Sequence, residues 1–273
     1  MDVVDKVAVV TGGGSGIGRA TCLRLAREGV KAIAVVDLSE SVASICQGNN
    51  TEIGREVMVP FQGDVVDAGF RERVFEEMEE RFGVVSLCVP AAGITLDKLS
   101  VKVEQINGTF RPRLYSEEDF RRILEVDLLA PIYWAMRAIG SVAVDRARQG
   151  LRKWDPEEGV QGAVVLIGSV SAAGNRGQIS YATAKAGLEG AQATLAMEAI
   201  FYGVRCAIIH PGYTDTPMVQ ALGPEIIAKH VLPNTQLRRL IRPEEIAGAI
   251  FFLLHNSSVS GVLWADAGFR AGP

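Results

Sequence analysis

Tyr181 and Lys185 stand four residues apart in the run Tyr181-Ala182-Thr183-Ala184-Lys185, a short distance after Ser169. On a helix this spacing puts both side chains on one face. A lysine ammonium beside a tyrosine hydroxyl stabilises the phenolate and lowers a pKa that starts at about 10. The tyrosine can then exchange a proton with a bound substrate near neutral pH. A serine hydroxyl at the end of a neighbouring strand can hydrogen-bond the same substrate oxygen. Tyr-x-x-x-Lys arises often by chance, so its weight comes from a second motif near the N-terminus. There Val7-Ala8-Val9-Val10 runs into Thr11-Gly12-Gly13-Gly14-Ser15-Gly16-Ile17-Gly18.

A strand followed by a glycine-rich turn and a helix presents free N–H groups and a positive dipole end to phosphate. Glycines at positions 12, 16 and 18 let a dinucleotide pyrophosphate approach the backbone closely, with Ser15 and Ile17 completing the turn. The spacing is GxxxGxG and not the commoner GxGxxG. Asp37 closes the second strand, where an acid takes the ribose hydroxyls of a bound dinucleotide. Its charge repels a 2′-phosphate, Leu38-Ser39 supply no arginine, and Ser15 is not basic. These residues favour NAD(H) over NADP(H). Asp37 also suits a cap on the segment beginning at Ser39.

Short β-branched runs alternate with helical patterns, which predicts βαβ units and a parallel sheet. Strands are expected at Val7–Thr11, Ala32–Asp37, 57–62, Val85–Pro90, 163–168, 204–210 and Gly261–Ala265. Several are apolar at nearly every position, as when helices cover both faces. Helices are expected at about 17–28, 68–82, 116–140, 181–202 and 243–255. The fold class is therefore α/β, a doubly wound parallel sheet of about seven strands in one domain over residues 1–273. Two stretches break the pattern. Residues 95–115 read as a long loop on the substrate side, at the C-terminal end of a strand. Residues 145–161 read as a connection at the opposite edge, peripheral or part of a subunit contact.

The chain has 273 residues, 48% hydrophobic, with a formal net charge of −4 and a mean hydropathy of +0.18. That balance gives no reason to expect nucleic acid or an anionic membrane as partner. No apolar run approaches the roughly 18 residues of a spanning helix, and the N-terminus shows no secretory pattern. Cys22, Cys46, Cys88 and Cys206 lie in apolar patterns without CxxC spacing or nearby His clusters. They read as small hydrophobes, with no metal site and a reducing cytoplasm as the setting.

Taken together, Thr11-Gly12-x-x-x-Gly16-Ile17-Gly18, Gly63-Asp64-Val65, Ala91-Ala92-Gly93, Ser169, Tyr181-x-x-x-Lys185, Pro211-Gly212 and Asp266-Ala267-Gly268 resemble the short-chain dehydrogenase/reductase family over nearly the whole chain. The resemblance implies a Rossmann fold and hydride transfer, with Tyr181 as general acid/base. It implies that Ser169 orients the substrate carbonyl and that Lys185 binds the nicotinamide ribose. Asp64 and Val65 would contact adenine, and Ala92 and Gly93 would line the cofactor. After Pro211 and Gly212, Thr214 or Thr216 would reach the nicotinamide carboxamide or the phosphates. For Val65 a core position, and for Thr216 a helix cap ahead of Pro217, fit the residues equally well.

Three departures stand out. Pro90-Ala91-Ala92-Gly93 stands where the family usually has Asn-Asn-Ala-Gly or Asn-Ala-Gly, the loop from Ser169 to Tyr181 is one residue short, and Val126-Asp127-Leu128 carries Asp where the family's catalytic tetrad has Asn. An ionised Asp127 cannot donate, and near Lys185 it would offset the cation that acidifies Tyr181.

These readings predict an NAD-dependent oxidoreductase acting on a secondary alcohol or ketone, with a hydroxyacyl or steroid-like apolar body. Leu96, Ile179, Tyr213, Met218 and Leu222 are the expected apolar wall, and Arg111 with Arg113 either clamp an anionic group or lie solvated. His210 reads as a core or cap residue. The alternatives are a catalytically silent dinucleotide-binding protein and an NADPH-dependent 3-oxoacyl reductase. The family resemblance also implies a homotetramer or homodimer through the helices near 116–140 and 181–202, with Ile132, Trp134, Leu188, Ala191 and Leu195 as apolar candidates.

Overall fold

The computed structural model describes residues 1–269. Its centre is a seven-stranded parallel sheet in the order β3-β2-β1-β4-β7-β8-β9. These strands are β1 Val7–Thr11, β2 Ala32–Asp37, β3 Met58–Gln62, β4 Val85–Pro90, β7 Gly162–Ile167, β8 Val204–Pro211 and β9 Gly261–Ala265. β1, β4, β7 and β8 are buried at every position, because helices cover both faces. α1 (Gly16–Arg27), α2 (Val42–Ile53) and α9 (Pro243–His255) lie on one face, where Cys22, Leu25, Cys46 and Leu254 join the apolar cluster. α3 (Ala68–Phe82), α5 (Ala130–Arg148) and α6 (Ile179–Ala199) lie on the other, around Phe75, Trp134 and Leu188. Trp134 satisfies its buried Nε1–H on the Val65 carbonyl at 2.9 Å.

α2 answers to no expected helix. Its Gln47-Gly48-Asn49-Asn50 run is poor in helix formers, and tertiary contacts hold it. The buried Asn50 accepts from Met58 N–H at 2.9 Å and donates to Met58 O at 3.0 Å. The expected helix over 116–140 is three pieces: α4 (Glu117–Leu124), a π-helical turn at Glu125–Leu129, and α5, which runs on to Arg148. Asp127 sits inside the π turn. π turns inside helices often mark functional positions.

Residues 95–115 are not a loop. Val101–Ile106 (β5) and Thr109–Leu114 (β6) form an antiparallel hairpin. Asn107 and Gly108 both take positive φ, as a two-residue hairpin turn demands. The ribbon is exposed along almost its whole length. The 145–161 connection precedes β7, away from the cleft. The buried Arg146 pairs with Glu158 there, and Trp154 N–H donates to the Phe201 carbonyl at 2.9 Å. All four cysteines are buried and unpaired. Among the described residues, no helix is long and apolar enough to cross a membrane.

Between β8 and α9, the chain forms two short helices, α7 (Pro217–Gln220) and α8 (Pro224–Ile226). They lie beyond the C-terminal end of β8. Of the apolar residues proposed for subunit contact, Trp134, Leu188 and Leu195 belong to the core instead.

Candidate active site

The strand order reverses between β1 and β4, and in open α/β sheets a crevice at such a point takes the ligand. A cavity of about 480 Å³ lies there. It is lined by Gly12, Ser15, Gly16, Ile17, Gly18, Asp37, Asp64, Val65, Ala92, Gly93, Ser169, Tyr181, Lys185, Pro211, Gly212, Thr214 and Thr216. Every catalytic and cofactor-binding residue expected from sequence thus lines one space, except Asp127, which sits behind the lining. Tyr213, Met218 and Leu222 also line it, whereas Leu96, Ile179, Arg111 and Arg113 do not. Arg113 instead pairs with Glu104 across the hairpin at 2.7 Å. The apolar wall therefore comes from the segment after β8, and the hairpin tip lies outside the cavity.

The glycine turn is built for close approach. Gly12 has φ +65°, and a Cβ there would lie 2.8 Å from the Ala92 backbone. A Cβ on Gly18 would lie 2.2 Å from the Gly12 carbonyl, so α1 packs directly on the turn. Ser15 caps α1 in an extended conformation without using its side chain, leaving N–H groups at the helix start for an anionic ligand. The residues fit a dinucleotide. Asp37 Oδ2 accepts from Gly14 N–H at 2.9 Å and Oδ1 from Ser39 N–H at 3.0 Å, so it braces the turn and caps the next segment while facing the cavity. Val65 is likewise both core and lining. Thr216 both lines the cavity and accepts from Val219 N–H as the cap of α7. Just past the end of β4, Thr11 Oγ1 accepts from Ala92 N–H at 3.1 Å, which ties that strand end to β1.

Ser169 follows β7 and is nearly buried. Its hydroxyl accepts from Ser171 N–H at 3.1 Å and lies near enough to the Tyr181 phenol to favour its ionised form. Tyr181 and Lys185 lie in the first two turns of α6. Lys185 Nζ sits 5.4 Å from the centre of the Tyr181 ring and donates to the Ile167 carbonyl at 3.1 Å. It also lies 3.2 Å from Asp127 Oδ1. Asp127 is 0% exposed, and its Oδ2 accepts from Ile94 N–H at 3.1 Å. The π turn is what aims this carboxylate at α6.

Burial pushes the Asp127 carboxyl up, against the pull of Lys185 and the Ile94 N–H. Burial would lower Lys185, but Asp127 and Tyr181 more than offset it and hold the ammonium above its ordinary value. For Tyr181, burial raises the phenol, Lys185 lowers it, Asp127 raises it again, and the Ser169 hydroxyl lowers it. The net direction is upward, the reverse of the lowering expected from Lys185 alone. Replacing Asp127 with Asn removes one anion that opposes the phenolate, so the Tyr181 limb of the pH–rate profile moves to lower pH. Alcohol oxidation, which needs the phenolate, should then rise at lower pH than in wild type. Ketone reduction, which needs the phenol, should fall at lower pH. Superimposable profiles for the two proteins would refute this coupling.

Three polar residues of the site escaped sequence reading. Ser171 Oγ donates to Gln178 Oε1 at 2.8 Å, and Gln178 Nε2 donates to Asp97 Oδ2 at 2.8 Å. All three line the cavity beside Tyr181. Gln178 immediately precedes α6, and that position was the available signal. Arg122 also lines the cavity but is tied to Asp64 at 3.1 Å.

Residues 6–226 match the short chain dehydrogenase family. The chain is 32% identical to the (3R)-3-hydroxyacyl-CoA dehydrogenase of Canis lupus familiaris, covering 92% of this chain and 90% of that protein. It is 33% identical to the 3-oxoacyl-[acyl-carrier-protein] reductase of Escherichia coli K12, covering 93% and 91%. The crystal structure of gox2181 superposes with a TM-score of 0.80 at 23% identity, over 97% of this chain and 96% of that one. That last likeness speaks to the fold.

Proposed function

Because the chain belongs to the short chain dehydrogenase family, we propose that it is an NAD(H)-dependent oxidoreductase that interconverts a secondary alcohol and a ketone. The observation that carries this reading is the convergence of Ser169, Tyr181 and Lys185 on the same cavity as the glycine turn and Asp37. The chemistry that a bound nicotinamide would supply is hydride transfer to or from the substrate carbon. Ser169 Oγ holds the substrate oxygen, and Tyr181 Oη, within reach of the same oxygen, gives it a proton in reduction or takes one in oxidation. Lys185 lowers the cost of the phenolate, and Gly12, Ser15, Gly16, Ile17 and Gly18 receive the pyrophosphate. Asp64 and Val65 would hold the adenine, and Ala92, Gly93, Pro211, Gly212, Thr214 and Thr216, which line the same cavity, would hold the remainder.

The preference for NAD(H) rests on charge. The cations lining the cavity are Arg122 and Lys185, and each is engaged by a carboxylate. Asp37 stands at the end of β2 with no arginine beside it. An Asp37→Asn protein should narrow the NADH-over-NADPH preference by about tenfold, or about 1.4 kcal/mol. Fluorescence titration of both cofactors checks this. A wild-type protein that binds NADPH as tightly as NADH would overturn the assignment and favour the NADPH-dependent 3-oxoacyl reductase reading.

For substrate, the activities named for the dog and Escherichia coli relatives, on hydroxyacyl and oxoacyl thioesters, favour a 3-hydroxyacyl or 3-oxoacyl thioester. The apolar wall of Met218, Val219 and Leu222 suits an acyl chain. Exposed Tyr133, Met136 and Val144 on α5, with Met197 on α6, support a homo-oligomer formed through these helices.

A further inference from the structure

His210 lies under Ser169 and has no part in the proton path above. It is next to last in β8 and 0% exposed. Its ring stacks on Trp264 of β9, with centroids 4.3 Å apart. A Cβ on Gly168 would meet the ring at 2.6 Å, so glycine there leaves the space that the imidazole fills.

The hydrogen bonds around it are ordered. Ladder pairing between β7 and β8 runs to Ile167 and Ile209, and Gly168 N–H donates to the Ile209 carbonyl at 2.7 Å. One residue on, a side chain takes over, and Ser169 N–H donates to His210 Nδ1 at 3.1 Å. The Ser169 carbonyl lies 2.9 Å from the same nitrogen and also accepts from Ala172 N–H at 3.0 Å, so it keeps a partner when Nδ1 carries no proton. The other ring nitrogen, Nε2, is buried and makes no hydrogen bond among the described residues; Oε1 of Glu189, on the same helix as Tyr181, lies 3.3 Å away, within ion-pair distance.

We propose that Glu189 and His210 are a positioning pair for Ser169, in which the carboxylate holds the Nε2–H tautomer and leaves Nδ1 to anchor the Ser169 backbone. The inference rests on the role proposed above for Ser169. A peptide N–H can only donate, so anchoring Ser169 N–H requires Nδ1 to offer its lone pair. A neutral imidazole then carries its proton on Nε2, and the partner of one nitrogen sets the state of the other. A buried N–H needs an acceptor, and Glu189 is the charged group beside it. The Ser169 backbone is extended at φ −167° and ψ 153°, and holding it holds the hydroxyl toward Tyr181.

The chain has three histidines, His210, His230 and His255, so nitrogen-15 NMR of histidine-labelled protein can read the tautomer directly. The His210 signals are those missing from His210→Asn. The expected spectrum has an unprotonated Nδ1 and a protonated Nε2, giving way to mixed tautomers in Glu189→Ala. A protonated Nδ1 in the wild type, or a spectrum unmoved by Glu189→Ala, would overturn the pair.

Kinetics provide the second arm. His210→Leu should lower kcat by about 10–100-fold, the range for outer partners of an active group, with NADH affinity retained. His210→Asn, whose Oδ1 replaces the acceptor, should recover most of that loss. Equal impairment of the Leu and Asn variants, or wild-type turnover in the Leu variant, also overturns it. If the Leu variant does not fold, the wild-type spectrum still decides. A wild-type protein that turns over no alcohol or ketone would sink the functional reading instead, and the tautomer would remain a separate test of the pair.

Discussion

Tyr181→Phe should lower kcat for alcohol oxidation and ketone reduction by about 10²–10⁴-fold, the usual contribution of a positioned acid/base, while NADH binding is retained. The ring and its packing on α6 survive the change; only the hydroxyl is lost. Ser169 and Lys185 stay in place, but the phenol that gives the substrate oxygen its proton or takes it away is gone. Comparing kcat with NADH affinity for the two proteins separates chemistry from binding. Turnover within tenfold of wild type would remove Tyr181 from the mechanism. Tight NADH binding by wild type with no turnover on 3-oxoacyl thioesters, simple ketones or alcohols would move the chain to the catalytically silent dinucleotide binders.

Lys185→Met should destabilise the fold by about 3–5 kcal/mol, because it leaves the Asp127 carboxylate buried without its cation. The Ile94 N–H alone then holds the charge. The loss should also depend on pH in a definite sense. Burial already raises the Asp127 carboxyl, and without Lys185 it rises further above its unfolded value of about 3.9. A carboxyl raised on folding costs nothing where it is protonated in both states. It destabilises progressively as pH climbs from the unfolded value to the folded one, and the cost is constant beyond.

Urea unfolding at several pH values should therefore show the gap between variant and wild type widening from acid toward neutral pH. A Lys185→Met/Asp127→Leu protein should recover much of the loss, since replacing both partners of a buried pair with apolar groups is often neutral. A gap under about 1 kcal/mol at neutral pH, or one independent of pH, would mean that the pair carries little of the fold's stability. The same pair explains why the replacement of the family's Asn by Asp127 is compatible with a buried position. The carboxylate has an ammonium 3.2 Å away and a peptide N–H on its other oxygen.

The hairpin shows where reading the chain fell short. Asn107-Gly108 suits a two-residue turn, but the flanking residues mix Lys102, Glu104, Arg111 and Arg113 with Val101, Val103, Phe110 and Leu114. Such alternation suits a ribbon whose two faces differ, yet no core pairs with either face, and periodicity alone could not separate it from a loop. α2 was hidden for the opposite reason. Its residues argue against a helix, and Asn50 holds it through hydrogen bonds to Met58 that no local rule anticipates.

What the sequence determined by itself was the local chemistry and the elements that carry it. The i, i+4 spacing of Tyr181 and Lys185 puts them on one helix face. The glycines at 12, 16 and 18 make a turn that few other sequences can adopt. The apolar runs at Val7–Thr11 and Val85–Pro90 read as buried strands because burial on both faces needs no alternation. Tertiary structure alone decided what faces that chemistry. It brought Asp127 to Lys185 through a π turn, set His210 beneath Ser169 from a neighbouring strand, and turned the upward direction of Tyr181 into the outcome of burial and Asp127 against Lys185 and Ser169. These pairings join residues on different elements, and their distances follow from strand order and helix packing, which local periodicity does not encode.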